Sequence, residues 1–312
     1  MAKLAVIGAG LIGRAWAMVF ARAGWQVSLW DGIDGVAENA RSLIAEGLED
    51  LARHGLADDP KGAALRVTLA MSLEDAVHGA DLVQENTPEN VEMKREIFAR
   101  LDAAAAPETI LASSTSALVT SLYTESLAGR SRCLVAHPVN PPHLVPIVEL
   151  CGAPWTSPKI MQRAREIYHS VGQLPIHVKK EVDGFVLNRL QTALLAESFR
   201  LVEEGVVTPQ DLDETIRNGL GLRWSFMGPF ETIELNAPGG INDYCARYSP
   251  FFRRIAADPP KADVWNADKT SSVSAAWGPT PAADQHAAKT RWRDEQLAAL
   301  AAHKRTIKPF TP

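Results

Sequence analysis

The chain has 312 residues, of which 46% are hydrophobic and 22% charged, and its formal net charge is -5. These proportions exclude wholesale disorder, collagen-like repetition and a disulfide scaffold, and the length favours two domains over one. The acidic balance argues against a nucleic-acid partner, because such proteins present a basic face.

The first half of the chain alternates short apolar runs with helical patterns. The predicted strands are residues 4–7, 26–30, 66–70, 81–85, 109–113 and 132–136. A helix is predicted over residues 11–23, directly after the first strand. Strands that alternate with helices form βαβ units, so we expect a Rossmann-type, doubly wound, mostly parallel sheet.

The pattern becomes helical after about residue 180. Residues 183–204 form one long helical pattern with little polar circumference, so deep burial is expected. Thr208 and Pro209 are typical of an N-cap followed by proline in the first turn. Residues 255–285, rich in Pro, Ala, Ser and Asp, are expected to form an irregular loop.

A terminal helix is predicted over residues 284–304. The domain division that follows is a nucleotide-binding domain at 1–180 and an all-helical C-terminal domain at 181–312.

Membrane spans, targeting segments and metal sites are not expected. No run of about 18 apolar residues occurs and no signal peptide precedes the first apolar run, so we predict a cytoplasmic protein. Cys133, Cys151 and Cys245 lack metal-ligand spacing, which indicates reduced structural thiols.

A glycine fingerprint follows the first strand and opens the first helix. Its residues are Gly8, Gly10, Leu11, Ile12 and Gly13. In such a loop the first glycine permits a tight turn, the second lets a pyrophosphate approach, and the third allows close helix–strand packing. The helix N-terminus then binds the phosphates, so a dinucleotide site is predicted.

Asp31 closes the second strand, 18 residues after Gly13. A carboxylate there accepts hydrogen bonds from ribose hydroxyls and repels a 2′-phosphate, which favours NAD over NADP. The alternative is that Asp31 only forms the turn before Gly32.

His137 lies at the end of a predicted strand, where open α/β sheets bind ligands. Oxidation of an alcohol needs a base for the hydroxyl proton, and histidine titrates near neutrality. Glu149 lies within an apolar run, so its carboxylate requires a partner that an imidazole could supply. A capped core histidine and a separately satisfied glutamate explain the same residues.

Two further polar residues are candidates for the site. Ser116 offers a hydroxyl at another strand end, although an N-cap would also explain it. Asn188 lies inside the long helical pattern and must find hydrogen-bond partners, which could equally be a structural bridge between helices.

Taken together, these residues resemble the L-3-hydroxyacyl-CoA dehydrogenase superfamily over nearly the whole chain. The matching segments are the glycine fingerprint and residues 113–116, 137–142, 148–150 and 184–189. Within the superfamily, residues 200–205, 219–223, 228–232 and 292–295 are most similar to the L-gulonate 3-dehydrogenase branch, to which lambda-crystallin belongs.

The resemblance implies that His137 is the general base and that Glu149 orients its ring. It also implies that Ser116 and Asn188 bind the reacting oxygen. Further contacts around NAD are implied for Glu89, Lys94, Ser116 and Asn140. The family further implies a homodimer formed through the helical domain.

The residues themselves bear on the substrate. Residues 36–62 carry six acidic and three basic side chains, a net of -3, which would repel the polyphosphate of CoA; a solvated helix face fits equally well. Arg223 lies where acyl-CoA relatives usually lack an arginine, so we hypothesise that it clamps the carboxylate of a small L-3-hydroxy acid such as L-gulonate. A surface or interface arginine is the alternative.

Three functions remain open. The first is NAD-dependent oxidation of a free L-3-hydroxy acid, with L-gulonate preferred and other hydroxy-acid catabolites possible. The second is a short-chain L-3-hydroxyacyl-CoA dehydrogenase. The third is an NAD-binding structural protein of the crystallin kind, which would not require Ser116, His137, Glu149 and Asn188 together.

Overall fold

The computed structural model describes residues 1–308 and 310. The chain divides into two compact units: Met1–Asn188 together with the chain from Asp284 onward, and Arg189–Ala283. The predicted second domain ran from 181 to 312, so the observed division differs mainly in its last helix. Residues 309, 311 and 312 of that predicted domain lie outside the described residues.

One eight-stranded sheet forms the centre of the first unit, in the order β3-β2-β1-β4-β5-β6-β7-β8. Its strands are β1 Lys3–Ile7, β2 Gln26–Trp30, β3 Val67–Leu69, β4 Leu82–Glu85, β5 Ile110–Ser113, β6 Cys133–Pro138, β7 Ile147–Gly152 and β8 Leu174–Val178. Strands β1 to β6 are parallel, β7 runs antiparallel to β6, and β8 is parallel to β7. The predicted doubly wound, mostly parallel sheet is confirmed.

Helices cover both faces of this sheet. Those of the first unit are α1 Leu11–Arg22, α2 Val36–Arg53, α3 Pro60–Leu65, α4 Leu73–Val77, α5 Val91–Ala104, α6 Ser121–Thr124 and α7 Pro158–Ser170. On one face Trp16, Phe20 and Tyr168 form an aromatic cluster with ring centroids 5.4 to 6.1 Å apart. On the other, Phe98 packs against Tyr123 at 4.8 Å. The central strands are thus buried on both sides, as their continuous apolar runs predict.

The regular elements described between Arg189 and Ala283 are all helical. They are α8 Leu187–Glu203, which begins in the first unit, α9 Pro209–Thr215, a π-helical turn Ile216–Leu220, α10 Gly221–Trp224, α11 Pro229–Leu235, α12 Gly240–Ala256, a 3₁₀ turn Ala262–Trp265 and α13 Ala267–Trp277. Thr208 caps α9 by accepting from the N–H of Asp211, as predicted.

The prediction of one deeply buried helix over residues 183–204 is wrong in two respects. The helix begins only at Leu187, because Gly184 and Phe185 take positive φ angles of 73° and 48°. Phe185 is fully buried, whereas no residue of α8 is, and Leu190 is 65% exposed. An apolar helical pattern reports what a helix could bury, and cannot show whether the same chain supplies the covering layer.

The predicted irregular loop at 255–285 is also wrong, since it contains the end of α12, a 3₁₀ turn and the 11-residue helix α13. Alanine has the highest helix propensity, and the four prolines of the segment lie outside its regular elements. The prolines therefore mark boundaries and do not prevent helix formation.

Helix α14 spans Ala283–Thr306, close to the predicted 284–304. Leu297, Ala298 and Ala301 pack against the hydrophobic core of the first unit. This contact places the last helix with the nucleotide-binding unit. Among the described residues, no helix is long and apolar enough to cross a bilayer.

Candidate active site

The carboxyl ends of the parallel strands bring the predicted functional loops together. Backbone hydrogen bonds run from Asn86 N to the carbonyl of Ile7 at 2.7 Å and from Ser114 N to the carbonyl of Glu85 at 2.8 Å. They extend the strand pairing into the loops that follow β1, β4 and β5. A doubly wound sheet binds its ligands at this edge, where the strand order reverses between β1 and β4.

The glycine loop has the geometry that a dinucleotide requires. Gly8 has a φ of 91°, and a Cβ there would lie 3.0 Å from the carbonyl carbon of Asn86. A Cβ at Gly13 would overlap the carbonyl oxygen of Gly8, whereas a Cβ at Gly10 would meet nothing within 4 Å. Gly8 and Gly13 therefore permit close packing, and Gly10 leaves the space that a pyrophosphate needs.

Asp31 holds the glycine loop from the neighbouring strand. Its Oδ2 accepts from Ala9 N at 2.7 Å and its Oδ1 from Ile33 N at 2.9 Å. Asp31 therefore also forms the turn at Gly32, which was the alternative role considered from the sequence. The carboxylate remains partly exposed beside the start of α1, where Leu11 and Ile12 are the first helical residues. This arrangement fits a ribose diol next to a pyrophosphate.

Glu89 organises the loop after β5 that carries Ser116. Its carboxylate accepts from the Thr115 hydroxyl, from Ala117 N at 2.9 Å and from Leu118 N at 3.2 Å. Burial raises its pKa, but these hydrogen bonds and the charge of Lys94 hold the pKa below its ordinary value. Glu89 is thus a carboxylate anion that ties the loops after β4 and β5 together.

Lys94 is fully buried, and its ammonium is directed to Glu85. The Nζ atom lies 2.9 Å from Glu85 Oε2 and 3.3 Å from the carbonyl oxygen of Thr87. Glu85 also accepts from Ser113 Oγ and Thr87 N. Through these contacts Lys94 holds the Thr87 loop against the end of β4.

Sequence reasoning overlooked Glu85, although the signal was present. It ends the buried strand β4, and a carboxylate in an apolar run must find partners. The argument that singled out Glu149 applies equally to Glu85.

His137 and Glu149 face each other across the antiparallel pair of β6 and β7. Nδ1 of His137 lies 2.8 Å from Oε2 of Glu149, and the two residues are only 4% and 2% exposed. The alternative of two separately satisfied residues is thereby removed. A carboxylate at Nδ1 fixes the imidazole orientation and leaves Nε2 for a ligand.

Glu149 also caps the start of α8. Its Oε1 accepts from Val186 N at 2.9 Å and Leu187 N at 3.0 Å. Burial raises the pKa of Glu149, but the hydrogen bonds from His137 and from these two amides outweigh that effect and lower it. One anion therefore orients the imidazole and fixes the segment that leads to Asn188.

Asn188 and Ser116 are brought together in the same region. Nδ2 of Asn188 donates to the carbonyl oxygen of Ser116 at 2.9 Å. Asn188 thus joins the first turn of α8 to a loop, and no helix begins at Ser116. The bridge between two helices and the N-cap that were weighed from the sequence are both absent.

Ser114 has a structural position. Its hydroxyl accepts from Trp16 Nε1 at 3.0 Å and from Gln84 Nε2 at 2.7 Å, and it donates to Asn86 Oδ1 at 2.7 Å. All of its hydrogen-bonding capacity is used in holding strand ends together.

The remaining predicted residues lie further out. Asn140 is exposed after β6 and lines a cavity of about 260 Å³ that Leu11 also lines. Arg223 is an exposed residue of α10 in the second unit. Burial raises the pKa of the Cys133 and Cys151 thiols to about 12, so both are protonated near neutral pH. Within the described residues, no cluster of three His, Cys, Asp or Glu could hold a metal ion.

Three features define an NAD-dependent dehydrogenase that acts on a CH–OH group. They are a doubly wound sheet, a glycine loop next to the carboxylate of Asp31, and a buried His–Glu pair at a strand end. Comparison with known proteins agrees. Residues 3–182 match the NAD binding domain of 3-hydroxyacyl-CoA dehydrogenase, and residues 184–270 match the C-terminal domain of that family. The chain belongs to the 3-hydroxyacyl-CoA dehydrogenase family.

Several relatives are similar over nearly their whole length. Lambda-crystallin of Oryctolagus cuniculus is 42% identical over 313 residues, covering 97% of both chains. L-Carnitine dehydrogenase of Pseudomonas putida is 36% identical and covers 95% of this chain and 92% of its own. Among solved structures, 5-formyl-3-hydroxy-2-methylpyridine 4-carboxylic acid 5-dehydrogenase, an NAD⁺-dependent dismutase, matches with a TM-score of 0.85 and 31% identity, covering 99% of this chain and all of that one.

Proposed function

We propose that this enzyme uses NAD to oxidise the 3-hydroxyl of a small free L-3-hydroxy acid, with L-gulonate converted to 3-dehydro-L-gulonate as the preferred reaction. The observation that carries the proposal is the buried His137–Glu149 pair, whose Nδ1 and Oε2 atoms lie 2.8 Å apart. His137 lies near the carboxyl end of β6, at the same edge of the sheet as the glycine loop that follows β1. Similarity to lambda-crystallin over 97% of the chain supports the choice of L-gulonate.

In this proposal, Nε2 of His137 takes the proton of the C3 hydroxyl as the C3–H bond breaks. NAD, when bound at the glycine loop and Asp31, would supply the acceptor for the hydride that leaves C3, so that the C3–O bond becomes a carbonyl. The imidazolium that forms lies 2.8 Å from Glu149, whose lowered pKa keeps it anionic. Ser116 and Asn188 would bind the reacting oxygen as its charge changes.

Charge supports a free acid over a CoA thioester. The six acidic side chains between residues 36 and 62 are all solvent-exposed, four on α2 and two in the turn that joins α2 to α3. Such a surface repels a polyphosphate. Arg223 would bind the substrate carboxylate through two parallel hydrogen bonds.

L-Carnitine is a second candidate, favoured by the 36% identity to L-carnitine dehydrogenase. It shares the 3-hydroxyl and the free carboxylate with L-gulonate. Both substrates would therefore use His137 and Arg223 in the same roles.

We also propose a homodimer through the helical unit, in a cytoplasmic setting that suits three free thiols. Between Arg189 and Ala283 only Pro209, Thr232, Ala237 and Val264 are buried, and Phe230 and Leu222 are 73% and 60% exposed. A unit with so little core of its own gains stability from a second copy. Light scattering tests the homodimer. The wild type should have the mass of a dimer and Phe230→Glu a smaller mass, and equal masses for the two proteins would contradict the proposal.

The reaction is tested with purified protein and NAD by following NADH formation with L-gulonate and with L-carnitine, and NADH consumption with acetoacetyl-CoA. The expected result is the highest kcat/KM with L-gulonate and no turnover of the thioester. A higher kcat/KM with L-carnitine would favour the second candidate, and turnover of the thioester alone would overturn the free-acid proposal.

A further inference from the structure

A second cavity lies in the first unit, between α14 and the segments that lead into β7 and β8. It measures about 490 Å³, and residues from α1, α14 and the loops before β7 and β8 line it. Ligand sites in proteins commonly have volumes of roughly 300–1,000 Å³. Arg22 is the last residue of α1, roughly 18 Å along the helix from its N-cap Gly10 at 1.5 Å per residue. The cavity is therefore separate from the dinucleotide loop.

The walls of this cavity are apolar. Leu174 at the edge strand and Leu300 on α14 are 53% and 38% exposed, so each keeps apolar surface in contact with solvent. Leu56, Leu144 and Leu297 complete the apolar lining. A ligand with a hydrocarbon portion would remove this surface from water.

The same cavity carries positive charge. Arg22, Lys304 and Arg305 line it, whereas no aspartate or glutamate among the described residues does. Arg22 donates to the carbonyl of His143 at 2.9 Å and Arg305 to the carbonyl of Gly55 at 3.3 Å. In the described part of the chain, none of the three cations forms an ion pair with a carboxylate within 4 Å. Burial and the charge of Arg305 lower the pKa of Arg22 to about 10.

His143 adds an unpartnered polar atom. Its Nδ1 is buried and has no hydrogen-bond partner among the described residues, although most buried polar atoms in proteins have one. Burial and the charges of Arg22 and Arg293 lower the pKa of His143 to about 4, so the ring is neutral near pH 7. A neutral imidazole can take part in one more hydrogen bond without adding charge.

We propose that this cavity is a binding site for a straight-chain monocarboxylate, with the head group at Arg22, Lys304 and Arg305 and the hydrocarbon tail against the leucines. A carboxylate would neutralise part of the positive charge, and an alkyl chain would cover the apolar walls. A polyol acid such as L-gulonate matches the cations but leaves the leucines exposed. The site is therefore distinct from the one proposed for the reaction.

Calorimetric titration of the whole protein with decanoate tests this assignment. Decanol lacks the charge, and a hydrogen bond to a charged group contributes roughly 1.5–3 kcal/mol, so decanol should bind at least about tenfold more weakly than decanoate. Acetate lacks the apolar tail and should also bind at least about tenfold more weakly. Equal affinity for decanol would overturn the role of the cations, and equal affinity for acetate would overturn the role of the leucines.

Variants separate this cavity from the catalytic site, which could also take a carboxylate. The double variant Lys304→Gln/Arg305→Gln should weaken decanoate binding about tenfold or more, while kcat with the hydroxy-acid substrate stays unchanged. Lys289→Gln is the matched control, since Lys289 is an exposed cation of α14 outside the cavity lining. Ala301→Phe should also weaken binding by filling the cavity, with its fold checked by circular dichroism.

Decanoate that binds the double variant as tightly as the wild type would overturn the proposal. Absence of decanoate binding to the wild type would do the same. Since neither result depends on turnover of L-gulonate, failure of this inference and failure of the proposed reaction are distinguishable.

Discussion

At the carboxyl edge of the sheet, Glu85, Lys94 and Glu149 are buried and each has several partners, whereas in the unit Arg189–Ala283 large apolar groups stay in solvent. Glu149 serves His137 and two backbone amides, and Glu85 serves Lys94, Ser113 and Thr87. In the helical unit, Phe230 and Leu222 have no comparable cover. The first region satisfies its buried charges with its own residues, whereas the second leaves large apolar side chains in solvent.

Removal of the proposed base, His137, should have the largest effect on the first of these regions. His137→Gln is expected to lower kcat by roughly 10²–10⁴-fold, because general-base help is lost while the neighbouring loops keep their contacts. NAD affinity, measured by fluorescence titration, should stay close to that of the wild type. His169→Gln, an exposed histidine of α7, is the control. Normal turnover by His137→Gln would show that the base is another group.

Loss of the buried Glu85–Lys94 ion pair beneath the Thr87 loop should have the next largest effect, on the stability of the fold. Glu85→Gln leaves the ammonium of Lys94 buried without its counter-charge, which costs about 3–5 kcal/mol. The measurement is the free energy of unfolding in urea, with Glu92→Gln as an exposed control on the same helix as Lys94. A loss below about 1 kcal/mol would mean that the pair does not hold this edge together.

Protonation of His143 should destabilise the first unit in acid. Above pH 6.5 the histidine is neutral in both the folded and unfolded states and contributes nothing. Between pH 6.5 and about 4 only the unfolded state takes up the proton, so stability falls by up to roughly 3 kcal/mol as the pH is lowered. His143→Asn should remove this one-proton slope from the unfolding free energy, and His169→Asn, at an exposed histidine of α7, should retain it.

A smaller effect is expected when the charge of Arg223, the residue that the helical unit is proposed to contribute, is removed. Arg223→Met should raise KM for L-gulonate by about tenfold to a hundredfold with little change in kcat, because a charge-assisted contact to the carboxylate is lost. Arg253→Met, an exposed arginine of α12, should behave as the wild type. An unchanged KM in Arg223→Met would leave Arg223 as a surface or interface residue.

The fold of the first unit could be predicted because its signals are local. Continuous apolar runs predicted the ends of six strands to within one or two residues, and the glycine fingerprint located the start of α1. The need of a buried carboxylate for a partner suggested the pairing of His137 with Glu149, and the resemblance to the family implied it. Strand β8 gave no such signal, since its side chains are largely exposed at the sheet edge.

The surroundings of Lys94 and the start of α8 could not be predicted in this way. The direction of the Lys94 ammonium depends on Glu85, which approaches it only when β4 and α5 pack together. The late start of α8 depends on Phe185 turning into the core next to His137, with ring centroids 5.6 Å apart. Helical periodicity contains neither contact.

By itself the sequence determined the parallel sheet and the dinucleotide loop, because these follow from hydrophobic runs and from backbone space at glycine. It also placed His137 at a strand end and Glu149 within an apolar run. Only the tertiary structure decided that α14 joins the first unit, that Glu149 also holds the first turn of α8, and that three cations converge on an apolar cavity. Those features arise from residues distant in the chain, whose charge and burial are set by packing.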